Sequence, residues 1–526
     1  MSRRALRSLL TLVVLCTGAL PLSAGQNAAL ERGAAITDPL ALRELDHGRF
    51  GIERMLLPER SANVPLGNAV LFSLSSMQPV RAALEAEFER YVARHQEKRP
   101  NESIGVGEGF SFQLFDRALI YSPDTRFVLA GIVNRMDRAY VSEAGCGEIR
   151  LIYRLTRLNA PPAGGSAVSP RLPMTLNLVL RARRDGAIDR AGRPATCAGI
   201  ARRWLATSEL ALTGAPLAER LLGADGPLDL IDHQNIARIE TNIQIAFAPK
   251  SAVRDFRTDY LLKVFDYDAQ TRRFDEAPLE NQIDRDRILA DDNLRREFRS
   301  WLLAPDHVRE FDRGTILIPD KFLARAALAP TPAGLDPSEL QPEFGLTQGE
   351  GTDKNRGDPV FTEHDVVAAL KQAAARGVSL ENIRSVAGFQ RRLNDITCAG
   401  CHQTRGIGGF HFPGVDWMTE KPSNATIVPA SPHFFGDQVR RRDILLAFRD
   451  GRRPDFSRGF SSRPQLRGST ELAGTEYQDG WGAHCYSRRA GSGDGDRSFL
   501  SWSCAKGLTC EASGPSRMGM CFVKGP

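Results

Sequence analysis

Between residues 149 and 247 three stretches place apolar residues at every second position. Ile149, Leu151, Tyr153 and Leu155 alternate with Arg150, Arg154 and Thr156, with Ile152 breaking the run. Met174, Leu176, Leu178 and Leu180 alternate with Thr175, Asn177 and Arg181. Ile239, Thr241, Ile243, Ile245 and Phe247 alternate with Arg238, Glu240, Asn242 and Gln244. A period of two with one apolar face predicts half-buried antiparallel strands. Residues 261–267, a polar turn Asp268-Ala269-Gln270-Thr271 and a second arm from Arg272 read as a hairpin. Helical spacing is expected over 79–95, 198–205, 217–222 and 292–303. The fold class that follows is α+β, with an antiparallel-strand-rich N-terminal domain.

The pattern changes after residue 330. Residues 331–358 are rich in Pro, Gly and polar residues and read as a linker. Thr362 with Asp365 then makes a capping-box start for a helix through Val366, Val367 and Leu370 to a stop at Gly377. A second helix after Ser379, with Ile383, Val386, Phe389, Leu393 and Ile396 near one face, runs into Cys398. Residues 437–448 form another, whose Arg440-Arg441-Arg442 cluster reads as a solvated face. The tail carries Cys485, Cys504, Cys510 and Cys521 among many Gly and Ser, with Trp481 and Trp502 as its core. That describes a small disulfide-stapled module. The expected division is a leader over 1–24, an α+β domain over 25–330, the linker, a helical region over 359–470 and the module over 471–526.

The leader sets the compartment. Arg3, Arg4 and Arg7 precede an apolar run from Leu9 to Leu20 and small residues at Ser23, Ala24 and Gly25. This is the layout of a cleavable secretory signal, too short to span a bilayer comfortably. Ser2-Arg3-Arg4-Ala5-Leu6 partly resembles a twin-arginine signal. Leu15 stands where bacterial lipid-attachment sites carry a small residue, which argues against a lipid on Cys16. No later segment approaches a membrane span, so a periplasmic or secreted protein is expected. The chain is 42% hydrophobic and 25% charged with net charge +6, and no basic block is interleaved with aromatics. Nucleic acid is therefore not an expected partner.

Cysteine spacing supplies the candidate chemistry. Nine cysteines less Cys16 leave eight, an even number for an exported chain. Cys398-Ala399-Gly400-Cys401-His402 has the spacing needed for covalent attachment of one c-type haem. Both thiols add to vinyl groups, and His402 is placed as the proximal ligand of the iron. Distal candidates are His411, then Met418, then His433; a methionine would raise the potential relative to a second histidine. Cys146 with Cys197 and the four tail cysteines then pair among themselves, the tail in any of three connectivities. A Cys398–Cys401 disulfide or redox dithiol, or zinc held by both cysteines and two of His402, His411 and His433, remain as alternatives. A thioredoxin-like site would have a strand before the motif, where here a helix is expected.

Val133-Asn134-Arg135-Met136-Asp137 followed by Cys146-Gly147-Glu148-Ile149-Arg150, with Cys398-Ala399-Gly400-Cys401-His402-Gln403 and Gly409-Phe410-His411-Phe412, resembles a family of exported bacterial proteins of undefined function. Its pattern is NRxD, CGEYR and CxGCHQ…GFHF. The resemblance covers residues 120–450 and implies that the strands and the CxxCH belong to one architecture. It brings no reaction. Asn134, Asp137, Glu148 and Arg150 compose a polar site on paper, but an acid paired to an arginine at a strand end is the better reading. GxSxG, P-loop and HExxH motifs are missing, and Gly105–Gly109 reads as a turn rather than a nucleotide site. Asp353, Asn355 and Asp358 lack the spacing of a calcium loop. The expectation is electron transfer or redox sensing with a periplasmic partner, without a nucleotide cofactor. A binding protein whose CxxC is a disulfide and a haem peroxidase are the alternatives.

Overall fold

The computed structural model describes residues 35–59, 65–142, 145–158, 171–248, 257–331, 360–398 and 437–459, with short runs at 484–487, 503–504, 508–512 and 518–523. The leader, residue 16, nearly all of the linker, Trp481 and Trp502 lie outside them. Short strands β1 (Ala35–Ile36), β2 (Ile104–Gly105) and β3 (Phe112–Leu114) precede five long ones. These are β4 (Thr125–Arg135), β5 (Glu148–Arg157), β6 (Arg171–Arg181), β7 (Ile236–Ala248) and β8 (Arg257–Asp268). Each pairs antiparallel with the next, forming a meander. β1 closes the β4 edge, β3 and then β2 extend from the end of β7, and β9 (Arg273–Ala277) shares the flank of β8 with β10 (Ala327–Thr331). The fold is α+β around one ten-stranded sheet.

One face carries the main core. Leu151, Tyr153, Leu176, Leu178, Ile239 and Ile243 join Leu129 and Ile132 of β4 against the helices Pro39–His47, Gln78–Lys98, Cys197–Thr207 and Gly214–Leu222. The Gln78–Lys98 helix is also tied to β8 by polar contacts. Lys263 Nζ donates to Glu87 at 2.9 Å, and the Tyr91 hydroxyl donates to Asp259 at 2.7 Å. Ile152 turns to the opposite face, where it meets Ala35 and Val133. Its break in the alternation is therefore a second apolar contact rather than an irregular strand.

A second core is helical. Arg285–Ala290, Asp292–Leu302 and Pro305–Arg313 supply Ile288, Phe298, Leu302 and Phe311, which pack with Val366, Phe389, Leu393 and Ile396 of Glu363–Ala375 and Val386–Ile396. Residues 283–323, grouped by sequence with the strand domain, thus share a core with 360–396 across the linker. The Thr362–Asp365 capping box is present, and Gly377 takes a left-handed φ of 73° after the helix. The next helix starts at Val386, because buried Asp312 holds the preceding turn. Its carboxylate accepts from the backbone of Asn382 at 2.7 Å and Ile383 at 2.6 Å. The tail forms a separate antiparallel sheet of β11 (His484–Tyr486), β12 (Leu508–Ala512) and β13 (Met518–Val523). Cys510 stands opposite Cys521 in its register, and Cys504 and Cys510 each take part in a disulfide.

Candidate functional site

The second face of the sheet is buried over its middle strands and half-buried to exposed toward Arg238 and Asp266, and it carries many polar residues. Register places Val133, Arg150, Val179, Arg238 and Asp266 in one row across β4 to β8, with Ile152, Asn177, Glu240 and Val264 in the next. Burying charge in this way is tolerated only when each charge is paired. Here the guanidiniums and carboxylates interlock. Arg150 donates to Glu148 at 2.9 Å and to Glu240 at 2.9 Å. Arg238 reaches Glu148 at 2.7 Å and Glu240 at 3.0 Å. Arg138 pairs with Glu148 at 3.2 Å and with Glu280. Three arginines meet three glutamates.

The turn between β4 and β5 brings the two ends of this network together. Cys146 and Gly147 both take left-handed conformations, with φ of 56° and 84°. A Cβ on Gly147 would lie 2.6 Å from the Arg135 carbonyl oxygen, so glycine permits the close return of the chain. The Cys146–Cys197 disulfide fastens this turn to the start of the Cys197–Thr207 helix. Closing that loop stabilises by about 4 kcal/mol on the chain-entropy model. Asn134 Oδ1 accepts from the Met136 backbone at 2.8 Å and so shapes the chain leaving β4.

The second part of the network recruits the Gln438–Arg449 helix, which packs on Cys197–Thr207. Arg135 Nε donates to Asp137 at 2.8 Å, and Arg440 Nη2 bridges Asp137 at 2.9 Å and Asp437 at 2.9 Å. Arg441 and Arg458 also hold Asp437. Arg440 and Arg441 are thus not a solvated face, contrary to the reading of their cluster. Arg441 is 4% exposed, because Asp137 and Asp437 draw both guanidiniums inward. Burial, with Arg135 close by, pushes the Arg441 guanidinium down to about 10.

These charges also decide what the polar quartet can do. Burial alone would raise the Asp137 carboxyl, but Arg135, Arg441 and Arg440 outweigh it and hold the group well below its ordinary range. Glu148 is held low in the same way by Arg238, Arg138 and Arg150. Both are therefore permanent anions near neutral pH, unsuited to proton transfer there. The structure locks Glu148 with Arg150 in one ion pair and Asp137 with Arg135 and Arg440 in others.

Cys398 arrives on this same sheet face. The Val386–Ile396 helix is held by Arg392, whose Nη2 donates to the Asp312 carbonyl at 2.6 Å and the Arg458 carbonyl at 2.7 Å. Two residues beyond the helix, Cys398 packs against a wall of Leu262, Val264, Ala277, Leu279, Ala327 and Ala329. Its backbone N–H donates to buried Gln282 Oε1 at 3.0 Å. In register with Val264 stands Glu240, and beyond it Asn177. Asn177 is 1% exposed, yet neither side-chain oxygen nor nitrogen has a hydrogen-bond partner. A buried amide left in that state costs about 1–3 kcal/mol.

Cys401, His402, His411, Met418 and His433 lie outside the described residues, as do Asp353, Asn355 and Asp358. The side chains of Cys485 and Cys521 do as well. Asn177, Gln282, Arg238 and Glu240 had no distinguishing mark in the sequence. They appear there only as polar positions of alternating strands or as loop residues. No family model, curated protein or solved structure matches this chain.

Proposed function

We propose that this chain is an exported monohaem c-type protein that transfers electrons, or reports redox state, to a periplasmic partner. The observation that carries the reading is where the CxxCH begins. A helix anchored in its own aromatic core ends two residues before Cys398, which meets an apolar wall that gives way to polar residues on the same sheet face. A c-type haem supplies reversible one-electron chemistry once attached. The residues around Cys398 fit such a group. The Leu262–Val264 wall offers an apolar surface for a macrocycle, while Gln282 fixes the backbone at the first thioether position. Asn177, two strand spacings or about 10 Å from β8, offers an unsatisfied amide to a propionate. Cys398 and Cys401 would hold the group, with His402 as proximal ligand and His411 or Met418 as distal candidates.

Among the described residues no helix is long and apolar enough to cross a membrane. Expression with the haem-attachment machinery tests the proposal. The pyridine haemochrome of the purified chain is expected to show a c-type band that Cys398→Ala alters to a single-thioether spectrum. A chain that matures without any haem band overturns the proposal. High-spin iron with peroxide turnover would replace electron transfer by peroxidase chemistry.

A further inference from the structure

A cavity of about 430 Å³ opens where the end of the Pro39–His47 helix meets the turn at His233–Asn235. Its lining includes His47, Arg49, Arg54, Asp232 and His233. Arg49 differs from the arginines of the sheet. Among the described residues it has no ion pair, and its one described contact is with the ring of Phe50, 5.8 Å away. The two carboxylates that attract it are already engaged. Asp229 holds Arg190 at 3.0 Å and Arg203 at 3.2 Å, while Asp232 holds Arg184 at 3.3 Å and caps the turn through Gln234. Partial burial, with Arg190 and Arg184 nearby, pushes the Arg49 guanidinium below its ordinary value. A cation in that setting is stabilised by an anion that enters.

The geometry points to a binding site for a small dianionic head group of the phosphate class, seated between Arg49 and His233. The guanidinium fork matches two oxygens of such a group. His233 lines the same space and adds a ring nitrogen that can donate to a further phosphate oxygen, while His47 and Arg54, which already have other contacts, border it with Asp232. The cavity is larger than inorganic phosphate, leaving room for a small organic substituent.

Calorimetric titration of the full chain at constant ionic strength tests this, with inorganic phosphate, glycerol 3-phosphate and acetate as probes. Saturable binding of both phosphates is expected, with acetate weaker by about tenfold or more. Arg49→Met, which keeps side-chain length without charge, weakens phosphate by about tenfold, and Arg49→Lys restores part of the loss. His233→Leu is an independent variant from a different segment of the lining and weakens the same binding. Tighter binding of glycerol 3-phosphate identifies a small phosphomonoester, and equal binding identifies free phosphate. Lack of saturable phosphate binding, or affinity that survives both Arg49→Met and His233→Leu, overturns the inference.

Discussion

Asp437→Asn isolates the part of the ion network that fastens the Gln438–Arg449 helix to the sheet. The native carboxylate is contacted by Arg440, Arg441 and Arg458, and it is 11% exposed at the side chain. Removing its charge leaves Arg135, Arg440, Arg441 and Arg458 facing only Asp137 among the described carboxylates of this knot. Breaking a buried pair costs about 3–5 kcal/mol. Arg440 and Arg458, at 20% and 14% side-chain exposure, recover part of their hydration, whereas Arg441 at 4% does not. Asparagine also keeps one acceptor oxygen. The expected loss is therefore about 2–4 kcal/mol. In a chain of this length that lowers the Tm by about 2 °C per kcal/mol, or about 4–8 °C. Differential scanning fluorimetry measures the shift, and hydrogen exchange should show lost protection in the same helix. Asp443→Asn, on the exposed side of that helix, is the control and changes little. A loss no greater than that of the control would refute the argument that the network fastens this helix.

Two further predictions concern the sheet face. Asp137, Glu148, Glu280 and Asp437 all have folded pKa values below their ordinary ones, their arginine partners outweighing burial. Their stabilisation is present above the unfolded carboxyl range of about 4 and is lost as pH falls from there toward the folded values. The Tm should hold between pH 8 and 6 and fall below about pH 5. Asp437→Asn should show a shallower acid slope, and an unchanged slope would contradict the assignment. Asn177→Leu, made in a haem-free Cys398→Ala/Cys401→Ala background, should stabilise by about 1–3 kcal/mol by removing an unsatisfied buried amide. Chemical denaturation checks it, and destabilisation of that size would show that the amide is matched in the folded chain.

The legibility of the fold followed exposure. β5, β6 and β7 alternate visibly because their core face is apolar and their other face is polar. The hairpin of β8 and β9 was marked by its polar turn. β4 was not read as a strand, because every one of its eleven residues is buried and Phe127, Val128, Leu129 and Ala130 run on without alternation. Burial on both faces removes the period-two signal. The same physics hid the site. Polar residues at alternate positions signal solvent by default, so Arg150, Asn177 and Glu240 read as a wet face until register placed them in a buried one. Arg440 and Arg441 misled for the same reason, since their partners lie hundreds of residues away at Asp137 or on the helix's own threshold at Asp437. The capping box at Thr362 and the helix leading to Cys398 were legible because both depend on near neighbours in sequence.

Mass spectrometry of the tryptic peptide from residue 393 to residue 405, taken from the chain matured with the haem-attachment machinery, tests the central proposal most directly. That peptide contains Cys398, Cys401 and His402 together. The account predicts one haem on this peptide, bound by thioethers at both cysteines and resistant to reduction and acid extraction. An unmodified mass with Cys398 and Cys401 joined as a reducible disulfide would contradict it.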